Sequence, residues 1–434
     1  MHGLRTCGTA LLVFVAASCD TKVNNPGPVQ DEFLNDRNAA SAMVNGAGRA
    51  LAQGINWVSY TGAAVTREVH PAGSTGSFGI TNLWQQGALS DGDADLDTHW
   101  EQTQRARWVA EEAVRRLEAA GPPGPTDLQT ATQYADLLMR AYVYAGFANR
   151  LLGENMCDAV IDGSAILPNS TYFTRAESLF TKAIGVTGGT AATRTAQITA
   201  AYAGRAAARV YLGKWTEAVA DAGQVPIDFV FNMPYYNVGD DAQRNRIFWA
   251  SGNSRESGSA YRAHTQWNTW YYDYRQATND PRVPIATTAL TGDAAIECCG
   301  RVAFYPEAKH TSSASPIRLA SGREMRLIDA EAKLRSNDLT GAMTSLNAVR
   351  TAGGAQQVTA ANTTEAWRLL KRERGIELWL EARRIGDLRR WKAANTPGAL
   401  DPLEQPGTAS HLAKQDLCFP ISRSEQQTNP NLRG

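Results

Sequence analysis

The sequence predicts a mainly α-helical protein: helix pairs build a scaffold, and one long loop-rich insertion interrupts it. Three observations carry this expectation. Apolar residues recur at steps of three and four through most of the first 225 positions and again beyond 320. Short Gly- or Asn-containing breaks join some of these stretches in the manner of antiparallel helix pairs. Between them, from about Pro226 to Ala320, the periodicity fades while Gly, Ser, Asn, Pro and aromatic residues accumulate.

The totals agree with a globular chain. At 434 residues it suits one large composite domain or two intimate ones. Hydrophobic residues are 43% and charged residues 20%, ordinary for a packed protein and wrong for a disordered one. Lys plus Arg is 43 and Asp plus Glu is 43, which argues against a general nucleic-acid partner, because such proteins need a basic face to displace counterions.

The opening residues read as a targeting segment. Arg5 is a modest basic region, Ala10 to Ala17 is apolar but too short to span a bilayer, and Ala16-Ala17-Ser18 leads into Cys19. This resembles a bacterial lipobox, which implies removal of residues 1–18 and lipidation of Cys19; Ala16 departs from the Leu such boxes usually carry. No later stretch approaches the roughly 18 apolar residues of a membrane span. Residues 19–37 are then a tether, 38–225 an N-terminal helical scaffold, 226–320 the insertion and 321–434 a C-terminal helical part.

Helical spacing covers Asn38 to Leu51, then Asp97 to Ala120, which stops at Gly121-Pro122-Pro123-Gly124-Pro125. It returns over Thr130 to Leu152, Tyr172 to Ile184, Ala196 to Leu212 and Trp215 to Asp221. Ala206, Ala207, Val210 and Tyr211, a break at Gly213-Lys214, then Trp215 and Ala218 resemble a tetratricopeptide pair, in which small residues let two helices lie close. Met325, Leu327, Ala330 and Leu334, followed by Asn337-Asp338-Leu339 and then Ala342, Leu346 and Val349, repeat the pattern, and Tyr142 to Leu152 is a looser copy. Beyond the leader the cysteines are Cys157, Cys298, Cys299 and Cys418. Without CxxC spacing they favour disulfides over a metal site, and the three possible pairings stay open.

Several motifs, in order, resemble the SusD/RagB family. They are Met325 to Leu334 with Leu346 to Arg350, Arg372-Glu373-Arg374 with Glu377, Glu381 and Arg384, and Asp387 to Trp391. Asn279-Asp280-Pro281-Arg282 and the closing Phe419-Pro420-Ile421-Ser422 and Asn429 to Leu432 complete the set. The resemblance implies a SusD-like helical fold with tetratricopeptide-type pairs, and a lipoprotein held in the outer membrane at the cell surface. It also implies capture of a nutrient, glycan or oligosaccharide first and peptide in the RagB branch, for a SusC-like TonB-dependent transporter. A protein-binding tetratricopeptide scaffold without a small ligand is the other reading. No cofactor, metal or nucleic acid is expected.

The aromatic run Trp267, Trp270, Tyr271, Tyr272 and Tyr274 is the densest in the chain and the first ligand-binding candidate. Each ring offers roughly 150–250 Å² for stacking on the apolar face of a sugar. Read as a strand, Trp270, Tyr272 and Tyr274 share one face. Trp57, Tyr60, Asn82 and Trp84, in Gly/Ser-rich surroundings, correspond to loops that approach the ligand face in SusD-like proteins, and Asn82 and Trp84 join the ligand-binding candidates.

Nothing in the sequence points to catalysis. Glu373, Glu377 and Glu381 fall at i, i+4 and i+8, which a paired-carboxylate enzyme could use, yet Arg residues within reach favour a salt-bridge stripe on one helix, with Glu381 reaching Arg384. Asp91-Gly92-Asp93-Ala94-Asp95-Leu96-Asp97 fails as a calcium loop, lacking Gly and Glu at the required places, and reads as a turn in which Asp97 caps a helix. The six histidines are scattered, with no HExxH, and no G-x-S-x-G elbow or phosphate loop appears.

Overall fold

The computed structural model describes residues 31–73, 75, 79–251, 262–294 and 298–433. The segment resembling a lipobox and Cys19 lie outside the described residues. Helices α1 (Ala40–Val65), α2 (Asn82–Gln85), α3 (Ala94–Ala120), α4 (Ala131–Asn155), α5 (Ser170–Gly185), α6 (Ala191–Tyr211) and α7 (Trp215–Ala222) form the first part. Helices α8 (Arg246–Ser251) and α9 (Trp270–Thr278) follow within the irregular segment. Helices α10 (Gly322–Arg335), α11 (Leu339–Ala352), α12 (Thr363–Glu377), α13 (Arg384–Ala393) and α14 (Arg423–Thr428) close the chain. Two antiparallel ribbons join distant parts: β1 (His70–Pro71) with β3 (His264–Thr265), and β2 (Val230–Met233) with β4 (Ile317–Ser321). The protein is mainly α, with tetratricopeptide-type pairs and irregular chain between them, as the sequence predicts.

The helix pairs α6/α7 and α10/α11 break where the sequence places them, Gly213 taking φ 74° and Asn337 φ 62°. Small residues make the packing possible. Gly146 on α4 and Gly204 on α6 face the same Phe180 ring of α5, where a Cβ would come within 2.7 and 2.2 Å of ring carbons. Three helices therefore share one aromatic knob, and an alanine at either glycine would overlap it.

Three differences from the expected boundaries bear on the residues singled out in the sequence. Helix α1 runs on to Val65, and its buried face continues through Ile55, Val58, Ala63 and Ala64, so Trp57 and Tyr60 are helical rather than in a loop. Helix α3 begins at Ala94 because Asp93, not Asp97, caps it, accepting from the Asp95 amide at 3.1 Å. Asp97 instead accepts from the Ser424 amide at 3.0 Å, tying α3 to α14. Helix α12 stops at Glu377, and Leu380 and Ala382 take positive φ in the turn beyond it, so Glu381 leaves the helix that holds Glu373 and Glu377.

The carboxylates of that region are buried and paired. Glu373 meets Arg350 and Arg282, Glu377 meets Arg318 and Arg323, and Glu381 meets Arg318 and Lys309. Arg384 turns instead to Glu404, with bonds of 2.8 and 2.7 Å. Burial pushes the Glu381 carboxyl up, but Arg318 and Lys309 outweigh it and hold it below its ordinary value. Of the three possible pairings, the structure has Cys157–Cys418 and Cys298–Cys299. The first fastens the end of α4 to the C-terminal segment, where Met156 also bridges Phe419.

Candidate functional site

The run 270–274 is not a strand. Thr269 caps the start of α9 by accepting from the Tyr272 amide, and Asn279 ends the helix in the left-handed conformation at φ 53°. Helical spacing turns Trp270, Tyr271 and Tyr274 inward and leaves Tyr272 and Asp273 outward. Three candidate ligand contacts are therefore structural. Trp270 is 2% exposed, stacked 3.9 Å from Tyr271, and packed over Gly375, where a Cβ would lie 2.9 Å from its ring. Tyr274 is 8% exposed and donates to Asp280 at 2.7 Å. Trp84 is fully buried, edge-on to Phe419 at 5.3 Å. A ring already covered on both faces has no face left for a sugar.

The Asn279–Arg282 motif explains why Tyr274 is held so firmly. Asp280 binds the Arg282 guanidinium at 3.0 and 2.7 Å, Arg282 reaches Glu373 at 2.8 Å, and Glu373 meets Arg350, which also touches the Tyr274 hydroxyl. Burial opposes the Asp280 charge, but Arg282 and the Tyr274 hydroxyl win and bring its carboxyl down to about 2. The motif locks α9 onto α11 and α12.

Trp267, Tyr272 and Asn82 keep part of their surface. The β1–β3 ribbon pairs His70 with Thr265, so the segment after α1 meets the segment before α9. Thr265 Oγ1 accepts from the Trp267 and Tyr305 amides at 3.1 and 2.8 Å, and the Gln266 amide donates to the Tyr305 carbonyl. These bonds bring Trp267 beside the irregular segment bearing Tyr305. Trp267, half-buried, sits edge-on to His70 with centroids 5.0 Å apart. Tyr272 and Tyr305, both half-buried, stack 4.6 Å apart and 3° from parallel. Nothing in the sequence marks Tyr305 as a contact of this run, since its partner Tyr272 lies on a separate segment. Asn82 is half-buried and its side-chain oxygen faces His411 Nε2 at 2.8 Å. Trp57 is half-buried beneath Arg246, 3.6 Å from the ring centroid, and Tyr60 is buried with its hydroxyl 2.8 Å from His264 Nδ1.

Behind this face lie neutral histidines. Burial, followed by neighbouring charge, brings His70 and His264 down to about 3, and burial alone does so for His99. A separate groove of about 540 Å³ between α1, α4 and the end of β2 is lined by Arg49, Arg140, Tyr144 and Tyr236.

Residues 306–433 match the SusD family model. That C-terminal part of the chain is thus similar to the SusD family, in line with the resemblance its motifs carry. The match holds the Arg372–Trp391 and Phe419–Leu432 motifs, while Asn279–Arg282 falls before it. No curated protein sequence matches the chain. Solved structures share the SusD-like fold along nearly its whole length. A SusD-like carbohydrate binding protein from Bacteroides vulgatus is 16% identical, with TM-score 0.64 over 91% of this chain and 97% of its own. The surface glycan-binding protein A from Bacteroides uniformis is 13% identical, with TM-score 0.66 over 92% and 99%. A laminarin binding SusD-like protein is 15% identical, with TM-score 0.63 over 91% and 99%. Among the described residues no helix is long and apolar enough to cross a membrane.

Proposed function

We propose that the chain captures glycan at the cell surface and hands it to a SusC-like TonB-dependent transporter, held to the outer membrane by a lipid on Cys19. The observation that carries this reading is the partly exposed set Trp267, Tyr272 and Tyr305, borne outside the tetratricopeptide-type helix pairs. Flat apolar rings at a surface match the C–H faces of sugars, and each contact buries area at roughly 25 cal/mol/Å². Solved proteins of the same fold are named for carbohydrate, surface glycan and laminarin binding, which favours glycan over peptide. Binding without catalysis fits the carboxylates first considered for acid–base work, because Glu373, Glu377 and Glu381 are each held by cations.

Calorimetric titration of the soluble chain against polysaccharides and peptides tests the reading. One glycan class is expected to bind, with affinity falling tenfold or more in Trp267→Ala or Tyr272→Ala. Binding of peptides alone turns the reading to the RagB branch. Co-purification of a transporter without binding of either class leaves the scaffold reading in its place.

A further inference from the structure

Glycan stacking makes no use of Cys298, Cys299 or His70, yet the fold assembles them. The Thr291–Ala303 bridge and the Phe304 amide to Leu290 carbonyl bond pair the flanking segments, and Cys298 and Cys299 lie beside β1. Cys299 Sγ lies 3.7 Å from the Pro71 carbonyl oxygen, and both sulfurs and a His70 ring nitrogen fall within 4.8 Å of one another. His70 is fully buried. Its Nδ1 lies 2.8 Å from the Pro71 carbonyl oxygen, which can only accept, so Nδ1 carries the proton. Nε2 therefore presents a lone pair, and no protein group bonds it. A buried ring nitrogen without a partner is unfavourable, so the arrangement calls for an explanation. A neutral imidazole whose far N–H is fixed by a backbone carbonyl is the form in which histidine binds metals.

We propose that reduction of the Cys298–Cys299 bond opens a three-coordinate site for Cu⁺, made of the two thiolates and His70 Nε2. The ligand set is soft, as monovalent copper requires. Among the described residues no fourth His, Cys, Asp or Glu joins the group, so the four protein ligands of a structural zinc site are missing. Charge points the same way. Two thiolates and Cu⁺ sum to one negative charge, and the charge of Arg67 is felt at His70. Arg67 is itself fully buried, with Nε and Nη1 unbonded and no carboxylate paired to it among the described residues. An anionic copper complex would compensate that guanidinium.

The chemistry balances with a low-molecular-weight thiol as reductant. Two thiol molecules give two electrons and two protons to the disulfide and leave as their own disulfide, and the Sγ–Sγ bond becomes two thiols. Cu⁺ then displaces the two thiol protons, and no further electron moves. The ligands of this site, His70, Cys298 and Cys299, are not the stacking rings.

Competition with bathocuproine disulfonate tests it, using the mature chain reduced anaerobically and freed of reductant, with ascorbate holding copper as Cu⁺. The reduced chain should withdraw copper from the chelator and the oxidised chain should not. Cys157 and Cys418 are reduced as well, so the variants decide. Cys298→Ser and Cys299→Ser should each weaken capture at least 100-fold, and His70→Gln at least tenfold, with helical circular dichroism retained. Capture unchanged in both cysteine variants overturns the site, as does failure of the reduced chain to withdraw copper. Should His70→Gln not fold, the two cysteine variants and the Zn²⁺ response still decide: Zn²⁺ bound more tightly than Cu⁺ contradicts the three-coordinate assignment.

Discussion

Replacing Trp270 by alanine should unfold the protein more easily while leaving the glycan surface itself intact. The indole is 2% exposed, lies flat against Tyr271 at 3.9 Å and meets the α12 backbone at Gly375. Truncation removes the whole indole from a site walled by Tyr271, Tyr274 and α12, which cannot collapse without breaking the Asp280–Arg282–Glu373 lock. Buried Trp-to-Ala changes cost about 3–5 kcal/mol. At about 2 cal/mol/K of unfolding entropy per residue, that lowers the melting temperature of a chain this size by about 5 °C. Thermal and urea melts followed by circular dichroism measure the shift, and calorimetry of the folded variant measures affinity. A melting point within 1 °C of the parent, together with lost glycan binding, would refute the placement of Trp270 in the core.

Three further outcomes follow from the same structure. Tyr272→Ala, which removes an outward ring, should change stability by about 1 kcal/mol or less, since surface changes are small, while weakening glycan binding; a large melt shift contradicts its outward position. Arg384→Met leaves Glu404 buried without its two-bond partner and should cost about 3–5 kcal/mol in urea melts, against near-neutral effects for exposed pairs such as Arg49–Asp240. Acidification from pH 7 to 4.5 should lower stability: His70, His99 and His264, held to about 3 chiefly by burial, bind fewer protons folded than unfolded between 3 and 6.5. Glu68, raised by burial to about 7, opposes this, its stabilisation being complete below about 4.5 and lost towards 7, and burial raises Glu154, Asp95 and Asp273 as well. The carboxyls of Glu331, Glu381 and Asp387, pushed up by burial but held low by neighbouring cations, add to the side of the histidines. Urea midpoints equal at the two pH values contradict this balance.

The helix pairs were legible because their packing is local: Ala206, Ala207 and Val210 before Gly213, and Ala330 and Leu334 before Asn337, write the contact within thirty or so positions. The candidate site was half legible. Aromatic density drew attention to 267–274, but alternation over five residues also fits a short helix, and the deciding signals were its ends, Thr269 as cap and Asn279 as stop. Read with those caps, the run buries Trp270 and Tyr274 and exposes Tyr272. Trp84 misled for another reason: its cover, Phe419, comes from the far end of the chain. Long-range pairing also hid His70 and Tyr305, which the β1–β3 ribbon and the Thr265 hydroxyl bring to Trp267. Spacing rules for Cys and His likewise miss a group assembled across a ribbon.

Rings outside the helix pairs should meet the sugar, and a crystal structure of the chain with its bound glycan tests that most directly. A sugar ring lying about 4 Å above Trp267, Tyr272 or Tyr305 is the predicted result. Glycan density confined to the groove of Tyr144 and Tyr236, with those three rings bare, would contradict it.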